Sequence, residues 1–193
     1  MGAIPVDVKK LRIQYYAVSG QKWLLGPDGT GGLYVSKEAI EKLAPAHVGW
    51  ASVDEHDLEG GYTFKPGAGR YEVAMLPVAA EAALVAAIDW MAGWSWDWVF
   101  QRVRSLATLL KQELQRLPGV KLYTPVAEDA SAGLVTFALE GVEPEKAVNW
   151  LLRERKILIR SISYPRALRA SLHFFNTEEE VEALLRALRE LPR

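Results

Sequence analysis

The 193-residue sequence contains no cysteine. This absence excludes a disulfide framework, a metal site with Cys ligands and a catalytic thiol. It is compatible with any redox compartment, and we expect a cytoplasmic location. Neighbouring acidic residues flank His56, but side chains that are adjacent in sequence rarely converge on one ion, so we expect no metal site.

The chain also has little net charge and no long apolar run. Its formal net charge is −1, and its Lys and Arg residues are scattered, so no basic field attracts nucleic acid. The most apolar window, PVAAEAALVAAIDWM, is short for a membrane span and carries Glu81 and Asp89. The segment MGAIPVDVKK lacks the pattern of a signal peptide. We therefore expect a soluble protein with neither a nucleic-acid nor a membrane partner.

Hydrophobic periodicity predicts a mixture of strands and helices. After Pro118-Gly119 the strands and helices do not alternate strictly, which favours an α+β subdomain. Thr177 and Glu180 have the spacing of a capping box. Residues 45–69 show no sustained period and are predicted as a loop. The predicted strands cover residues 15–18, 32–35, 120–124, 134–139, 157–162 and 168–175, and the predicted helices cover 37–43, 77–117 with a break near Gly93, 144–156 and 177–191.

The stretch YYAVSGQKWLLGPDGTGG places one lysine, Lys22, among apolar and small residues. Its glycine-rich turn follows the lysine, whereas a Walker-type nucleotide loop needs the lysine after the glycines. A lysine on a turn in an apolar pocket suits Schiff-base chemistry with a carbonyl compound. The alternative is a surface lysine that forms an ion pair or extends into water.

Four segments, in order, resemble the class V aminotransferases, which are fold-type I enzymes dependent on pyridoxal phosphate. This family includes isopenicillin-N-epimerase-like and cysteine-desulfurase-like groups. AVSGQKWLLGPDGTGGLYV resembles the segment with the cofactor lysine. The other three segments are GAIPVDVKKLRIQYYAVSG, GAGRYEVAMLP and LRASLHFFNTEEEVEALLRAL.

The resemblance covers essentially the whole chain and implies an α/β fold. Residues 1–92 are expected to be the C-terminal part of the large cofactor-binding domain. Residues 93–118 are expected to form a long connecting helix, and residues 119–193 a small C-terminal α+β domain.

The resemblance also implies roles for individual residues. Lys22 is expected to form the Schiff base with pyridoxal phosphate and later to move the proton at the substrate α-carbon. Ser19 and Gln21 are expected to contact the cofactor phosphate. Arg169 is expected to bind the substrate α-carboxylate, because its planar guanidinium matches a carboxylate bidentately. Without the resemblance, the pattern favours placing Arg169 on the exposed side of an edge strand.

The chain departs from the family pattern in several places. An Asp-containing segment, whose Asp pairs with the cofactor's pyridine nitrogen, usually precedes the Gly2-Ala3-Ile4-Pro5 stretch and is not present here. Position 75 is Met where the family loop has Thr, and a thioether donates no hydrogen bond. Position 21 is Gln where desulfurases commonly have His. The first two of these departures favour weak cofactor binding by this chain alone.

Two hypotheses follow. In the first, the chain is the C-terminal portion of a class V aminotransferase or lyase that acts on an amino acid. It then forms a homodimer or needs a partner chain that supplies the missing half. Without a thiol, the persulfide mechanism of cysteine desulfurases is excluded, which favours epimerase-like, aminotransferase or simple lyase chemistry. In the second, the chain is a truncated, non-catalytic module that dimerises or binds a partner chain.

Overall fold

The computed structural model describes residues 1–192, and these residues divide into two compact units. The first unit contains Met1 and Pro5–Gly93. The second unit contains Gly2–Ile4 and the residues from Trp94 onward. The expected division into residues 1–92, 93–118 and 119–193 stays a prediction.

The first unit begins with an antiparallel hairpin of β1 (Tyr15–Ser19) and β2 (Gly31–Val35). The short helix α1 (Lys37–Ile40) follows. The Ser36 hydroxyl caps α1 by accepting a hydrogen bond of 3.2 Å from the Ala39 N–H. The two strands lie where the sequence predicts them, and the turn between them carries Lys22.

A second hairpin, formed by β3 (Val53–His56) and β4 (Tyr62–Phe64), lies within the segment predicted as a loop. That prediction was wrong because strands of four and three residues are too short to show a period. Asp57 holds the turn: its carboxylate accepts hydrogen bonds of 2.8 Å from the backbone N–H groups of Glu59 and Gly61.

The helix α2 (Val78–Ala92) is apolar on nearly all sides and buries only Leu84 and Met91. Val78, Val85 and Trp90 are 77%, 57% and 53% exposed. A helix that is apolar all round is usually buried inside a larger structure. The exposed side chains of α2 are therefore typical of a surface that binds further polypeptide.

The second unit packs three helices on a four-stranded antiparallel sheet of order β5-β6-β8-β7. The strands are β5 (Val120–Leu122), β6 (Leu134–Leu139), β7 (Arg160–Ile162) and β8 (Ala167–Ser171). The helices are α3 (Trp96–Gln115), α4 (Pro144–Arg155) and α5 (Glu178–Arg189). This is an α+β arrangement.

The core of this unit lies between one face of the sheet and the helices. The sheet contributes alternate side chains, because successive residues of a strand point to opposite faces. The buried residues of the sheet are Val135, Phe137, Leu168 and Ala170, and the buried residues of the helices include Leu106, Leu110, Leu114, Leu151, Leu184 and Leu188.

The capping box predicted before α5 is confirmed. The Glu180 N–H donates to Thr177 Oγ1 at 3.3 Å, and the Thr177 N–H donates to the Glu180 carboxylate at 3.1 Å. These bonds satisfy two backbone donors that the first turn of a helix leaves without partners.

Lys111 is a fully buried lysine on α3. Its ammonium donates to the carbonyls of Pro125 and Ala127, each at 3.1 Å, and to Ser131 Oγ at 2.9 Å. Burial lowers the pKa of Lys111, and the negative charges of Glu128 and Asp129 act in the opposite direction. Because all three donors have acceptors, Lys111 ties the loop after β5 to α3 rather than providing a reactive amine.

An ion pair between Arg102 and Glu178 joins α3 to α5. Hydrogen bonding from Arg102 is the main cause that lowers the pKa of Glu178 from its ordinary value of 4.5 to about 2. A carboxyl group with a lowered folded-state pKa stabilises the protein above its unfolded-state pKa, and this stabilisation is lost as the pH falls through the folded-state value.

We therefore expect Glu178→Gln to lower the urea midpoint at about pH 7, with a difference from wild type that shrinks as the pH falls from about 5 toward 2. Urea unfolding at several pH values measures this. As a control, Glu182→Gln removes a looser contact of 3.5 Å to Arg186 and should change the midpoint less. A Glu178→Gln difference that stays constant with pH would contradict the expectation.

Candidate functional site

Lys22 lies on the turn between β1 and β2, close to Ser19 and Gln21. The side chains of all three residues are exposed, and Lys22 forms no ion pair with any residue from 1 to 192. The apolar pocket expected around the lysine is therefore not formed by residues 1–192. The nearby apolar residue Leu24 turns inward instead and is only 3% exposed.

The backbone around Lys22 is held by several short hydrogen bonds. The Gly20 N–H donates to the Thr30 carbonyl at 2.8 Å, and the Gly26 N–H donates to the Gly20 carbonyl at 2.9 Å. The buried Thr30 hydroxyl donates to the Pro27 carbonyl at 2.6 Å. Hydrogen bonds between residues 20 and 30 thus constrain the loop, and Lys22 extends from this constrained turn.

The loop also packs closely against α2. A Cβ atom built on Gly20 would lie 3.0 Å from Leu84 Cδ1, and one built on Gly26 would lie 2.5 Å from the same atom. Leu84 is one of the two buried residues of α2. The glycines on either side of Lys22 therefore allow the loop to lie directly on the helix.

Gly31 and Gly32 provide a matched test of how closely the two strands of this hairpin pack at these positions. A Cβ atom on Gly31 would lie 2.4 Å from the Val18 carbonyl oxygen, whereas a Cβ atom on Gly32 meets nothing within 4 Å among the described residues. We expect Gly31→Ala to lower the free energy of unfolding by about 1–3 kcal/mol, because the backbone must move to admit the methyl group.

The measurement is amide hydrogen exchange at Gly20, whose N–H bonds to Thr30 across the base of the loop. Exchange should be faster in Gly31→Ala and unchanged in Gly32→Ala. Equal exchange rates in the two variants would show that the hairpin tolerates a side chain at Gly31.

Arg169 lies in the second unit, on β8 between β6 and β7. The alternative that places it on an edge strand is therefore wrong. Leu168 and Ala170 point into the core, so Arg169 lies on the opposite face of the sheet. Its Nε atom is buried and makes no hydrogen bond to any described residue. A buried donor without an acceptor is unfavourable, and an anionic ligand would satisfy it.

Arg160, which the sequence analysis did not select, pairs directly with Arg169 across β7 and β8. Thr136 of β6 is the partner of Arg169 on the other side. The turn between Ile162 and Ala167 brings the two arginines into register. Their separation by nine positions around a Tyr-Pro sequence was the available signal, but periodicity alone does not identify the register of a hairpin.

The loop that contains Arg70 also contains Met75, the position at which the family usually has Thr. The Arg70 guanidinium donates to the carbonyls of Lys65 at 3.2 Å and Ile40 at 3.3 Å, so it holds the loop in place. Met75 is 82% exposed. Met75 therefore contributes neither a hydrogen-bond donor nor core packing.

Within the part of the chain that the structure describes, no helix is both long enough and apolar enough to span a membrane. In the same residues, no three His, Asp or Glu side chains lie close enough together to hold a metal ion.

The aminotransferase class-V family profile matches residues 1–184, and the chain belongs to this family. The expected resemblance is thus confirmed. Cysteine desulfurase CsdA from Escherichia coli is 33% identical over 95% of this chain and 47% of its own length. Isopenicillin N epimerase from Amycolatopsis lactamdurans is 30% identical over 100% of this chain and 50% of its own length. The chain spans about half the length of the curated relatives it matches.

Solved structures confirm the α/β fold class. The cystine C-S lyase C-DES, in complex with its reaction product cysteine persulfide, matches with a TM-score of 0.89 and 31% identity, over 100% of this chain and 50% of that chain. A C-DES variant with glycine covalently linked to its pyridoxal phosphate cofactor matches with a TM-score of 0.89 and 30% identity, over 99% of this chain and 49% of that chain. The family therefore includes pyridoxal phosphate enzymes.

Proposed function

We propose that this chain is the C-terminal portion of a pyridoxal-phosphate-dependent class V enzyme, an aminotransferase or a lyase, that acts on an amino acid. Lys22 forms the Schiff base with the cofactor. The observation that carries the proposal is the exposed Lys22 amine on a constrained glycine turn, in a family with a cofactor-bound relative. The expected cytoplasmic location and homodimer belong to the same proposal.

The residues around Lys22 fit such a cofactor. The amine forms no ion pair with residues 1–192, so it is available to react with an aldehyde. The exposed Ser19 hydroxyl and Gln21 amide provide hydrogen-bond donors for a phosphate. Pyridoxal phosphate, when bound, supplies an electron sink for negative charge at the substrate α-carbon. Once the substrate amino group has replaced it on the cofactor, the free Lys22 amine would take and return the proton at that carbon.

Arg169 binds and orients the amino-acid substrate through its α-carboxylate. The unpaired, buried Nε is a donor that a carboxylate oxygen would accept from. A fixed carboxylate contact limits how the substrate can turn in the site. Orientation of this kind lowers the barrier because the reacting groups are held together before the reaction begins.

The absence of cysteine limits which reactions can be proposed for this chain, because it excludes those that need a thiol of the chain. Without a thiol, no residue of this chain accepts sulfur as a persulfide. The chemistry proposed for this chain is therefore transamination, epimerisation or elimination. This sets it apart from the relatives that are named cysteine desulfurases, such as CsdA from Escherichia coli.

A titration of the purified chain with pyridoxal phosphate tests the proposal. We expect an absorption change that saturates and corresponds to one bound cofactor per chain, as a single reactive lysine requires. A change that grows without saturation would show nonspecific reaction with surface lysines and would overturn the proposal for this chain.

A second candidate function is a non-catalytic module that dimerises or binds a partner chain. The exposed apolar side chains of α2, including Val78 and Val85, favour it. Light scattering on the purified chain gives its mass in solution. A stable dimer that shows no saturable binding of pyridoxal phosphate would favour this function over the enzymatic one.

A further inference from the structure

We propose that Tyr164, on the turn between β7 and β8, binds the side chain of the substrate, so that the preferred substrate is an amino acid with a large apolar side chain. This inference rests on the proposed role of Arg169 as the residue that binds the substrate α-carboxylate. It deepens the proposed function, because it names the class of amino acid that the site prefers.

Tyr164 is an aromatic residue that lies almost completely in solvent. It is 96% exposed, so its ring packs against almost none of residues 1–192. A tyrosine ring has a large apolar surface, and its hydroxyl can stay in water while the ring is covered. Covering this ring with an apolar group is therefore favourable, and the ring is open to a ligand.

Tyr164 continues a row of apolar residues on the outward side of β7. Exposure alternates along this segment: Ile159 is buried, whereas Leu158 is 74% exposed and Arg160 is also exposed. Ile162 lies on the same side as Arg160, because alternate residues of a strand point to the same face. Side chains that an antiparallel sheet presents to solvent are usually polar, so large apolar residues on this side are typical of a surface that binds a ligand.

The row runs from the neighbourhood of Arg169 to the turn. Arg169 pairs with Arg160, and Ile162 pairs with Ala167 at the last position before the turn. A strand rises about 3.3 Å per residue, so Ile162 lies about 7 Å from Arg160 along β7, and Tyr164 follows two positions later. A substrate whose carboxylate accepts a hydrogen bond from the unpaired Arg169 Nε can therefore extend its side chain past Ile162 to the Tyr164 ring.

Leu158 borders Arg160 on the other side, but the sheet does not hold the chain there. The pairing of β7 with β8 ends at Arg160, so Leu158 lies outside it. The turn that carries Tyr164 is instead closed by the paired strands and anchored by an ion pair between Arg166 and Glu143. A contact residue on a fixed segment loses less conformational entropy on binding, which favours Tyr164 over Leu158 as the contact.

The test follows the Arg169 Nε–H signal by NMR while the whole chain, without pyridoxal phosphate, is titrated with L-phenylalanine or L-alanine. These two amino acids share the α-carboxylate and differ only by the phenyl ring. We expect L-phenylalanine to bind about fivefold more tightly, which is within the range that contact between two aromatic rings provides. The signal is assigned by its absence from Arg169→Gln.

The Tyr164→Ala variant should reduce the affinity for L-phenylalanine to that for L-alanine and leave the affinity for L-alanine unchanged. Tyr164→Phe should retain the preference, because the ring rather than the hydroxyl makes the contact. Leu158→Ala is the matched control: it removes another exposed apolar side chain from the same segment and should change neither affinity. Circular dichroism spectra that match the wild type show that each variant is folded.

Equal affinities of the wild type for the two amino acids would overturn the proposal. A preference that survives in Tyr164→Ala, or is lost in Tyr164→Phe or Leu158→Ala, would also overturn it. These results would leave the role of Arg169 intact, because its Nε–H signal would still shift with both amino acids. A signal that shifts with neither would reject the role of Arg169 and this proposal with it. Binding of pyridoxal phosphate at Lys22 is tested separately, since no cofactor is present here.

The same titration with L-leucine defines the apolar side chain more closely. If L-leucine binds as tightly as L-phenylalanine, Tyr164 accepts aliphatic and aromatic side chains alike. If L-leucine binds only as tightly as L-alanine, the contact requires an aromatic ring. Both results support an apolar contact at Tyr164, provided that Tyr164→Ala abolishes the preference for L-phenylalanine.

Discussion

The Lys22→Arg variant should lose saturable binding of pyridoxal phosphate completely while it keeps the wild-type fold. Arginine preserves the positive charge, but its guanidinium stays protonated and does not form a Schiff base under these conditions. Because Lys22 is exposed and forms no ion pair with residues 1–192, its replacement should change the free energy of unfolding by less than about 0.5 kcal/mol. Absorption titration and thermal unfolding measure the two effects.

Lys42→Arg is the matched control for this variant. Lys42 is also an exposed lysine of the first unit, and its replacement should leave the absorption titration unchanged. If Lys22→Arg binds pyridoxal phosphate as the wild type does, the reactive amine lies elsewhere. If both variants lose part of the signal, several surface lysines react and the assignment to Lys22 fails.

The Phe137→Ala variant should show the largest loss of stability, about 3–5 kcal/mol, because it opens a cavity in the core of the second unit. Phe137 is 0% exposed and lies on β6 between Leu122 of β5 and Leu168 of β8. A domain of this size typically has a free energy of unfolding of only about 5–15 kcal/mol, so Phe137→Ala removes a large part of it. Urea unfolding followed by tryptophan fluorescence measures it.

Phe175→Ala serves as the comparison, because the same atoms are removed from a residue that is 58% exposed. Phe175 stacks on His173, with ring centroids 4.9 Å apart, so a loss of about 0.5–1.5 kcal/mol is expected from that contact. Similar losses in the two phenylalanine variants would show that the core assigned to Phe137 is not the main source of stability.

The helices of the second unit could be predicted well because their signals are local. The apolar face of α3 repeats over 20 residues, and the capping box at Thr177 and Glu180 marks the beginning of α5. The predicted bounds of the strands were less accurate. Residues 157–162 and 168–175 were predicted as strands, whereas β7 and β8 cover only Arg160–Ile162 and Ala167–Ser171. Strand ends depend on pairing partners, which periodicity does not show.

The candidate site was also predictable only in part, because some of its features depend on strand pairing, which periodicity does not show. The spacing of Lys22 and its glycines is local, and the structure places that lysine on the expected turn. The position of Arg169 on a central strand depends on the strand order, and its pairing with Arg160 depends on the register of a hairpin. The exposure of Lys22 also could not be read from the apolar residues near it, because the nearby Leu24 is buried while Lys22 is exposed.

The most direct test of the central claim is to map the site of the cofactor adduct. The wild-type chain is incubated with less than one equivalent of pyridoxal phosphate, reduced with borohydride, digested and analysed by mass spectrometry. We predict that the adduct is confined to the peptide that contains Lys22, since the constrained turn presents this amine beside Ser19 and Gln21. Adducts distributed over several lysines, or none at all, would contradict the proposal that this chain holds the cofactor through Lys22.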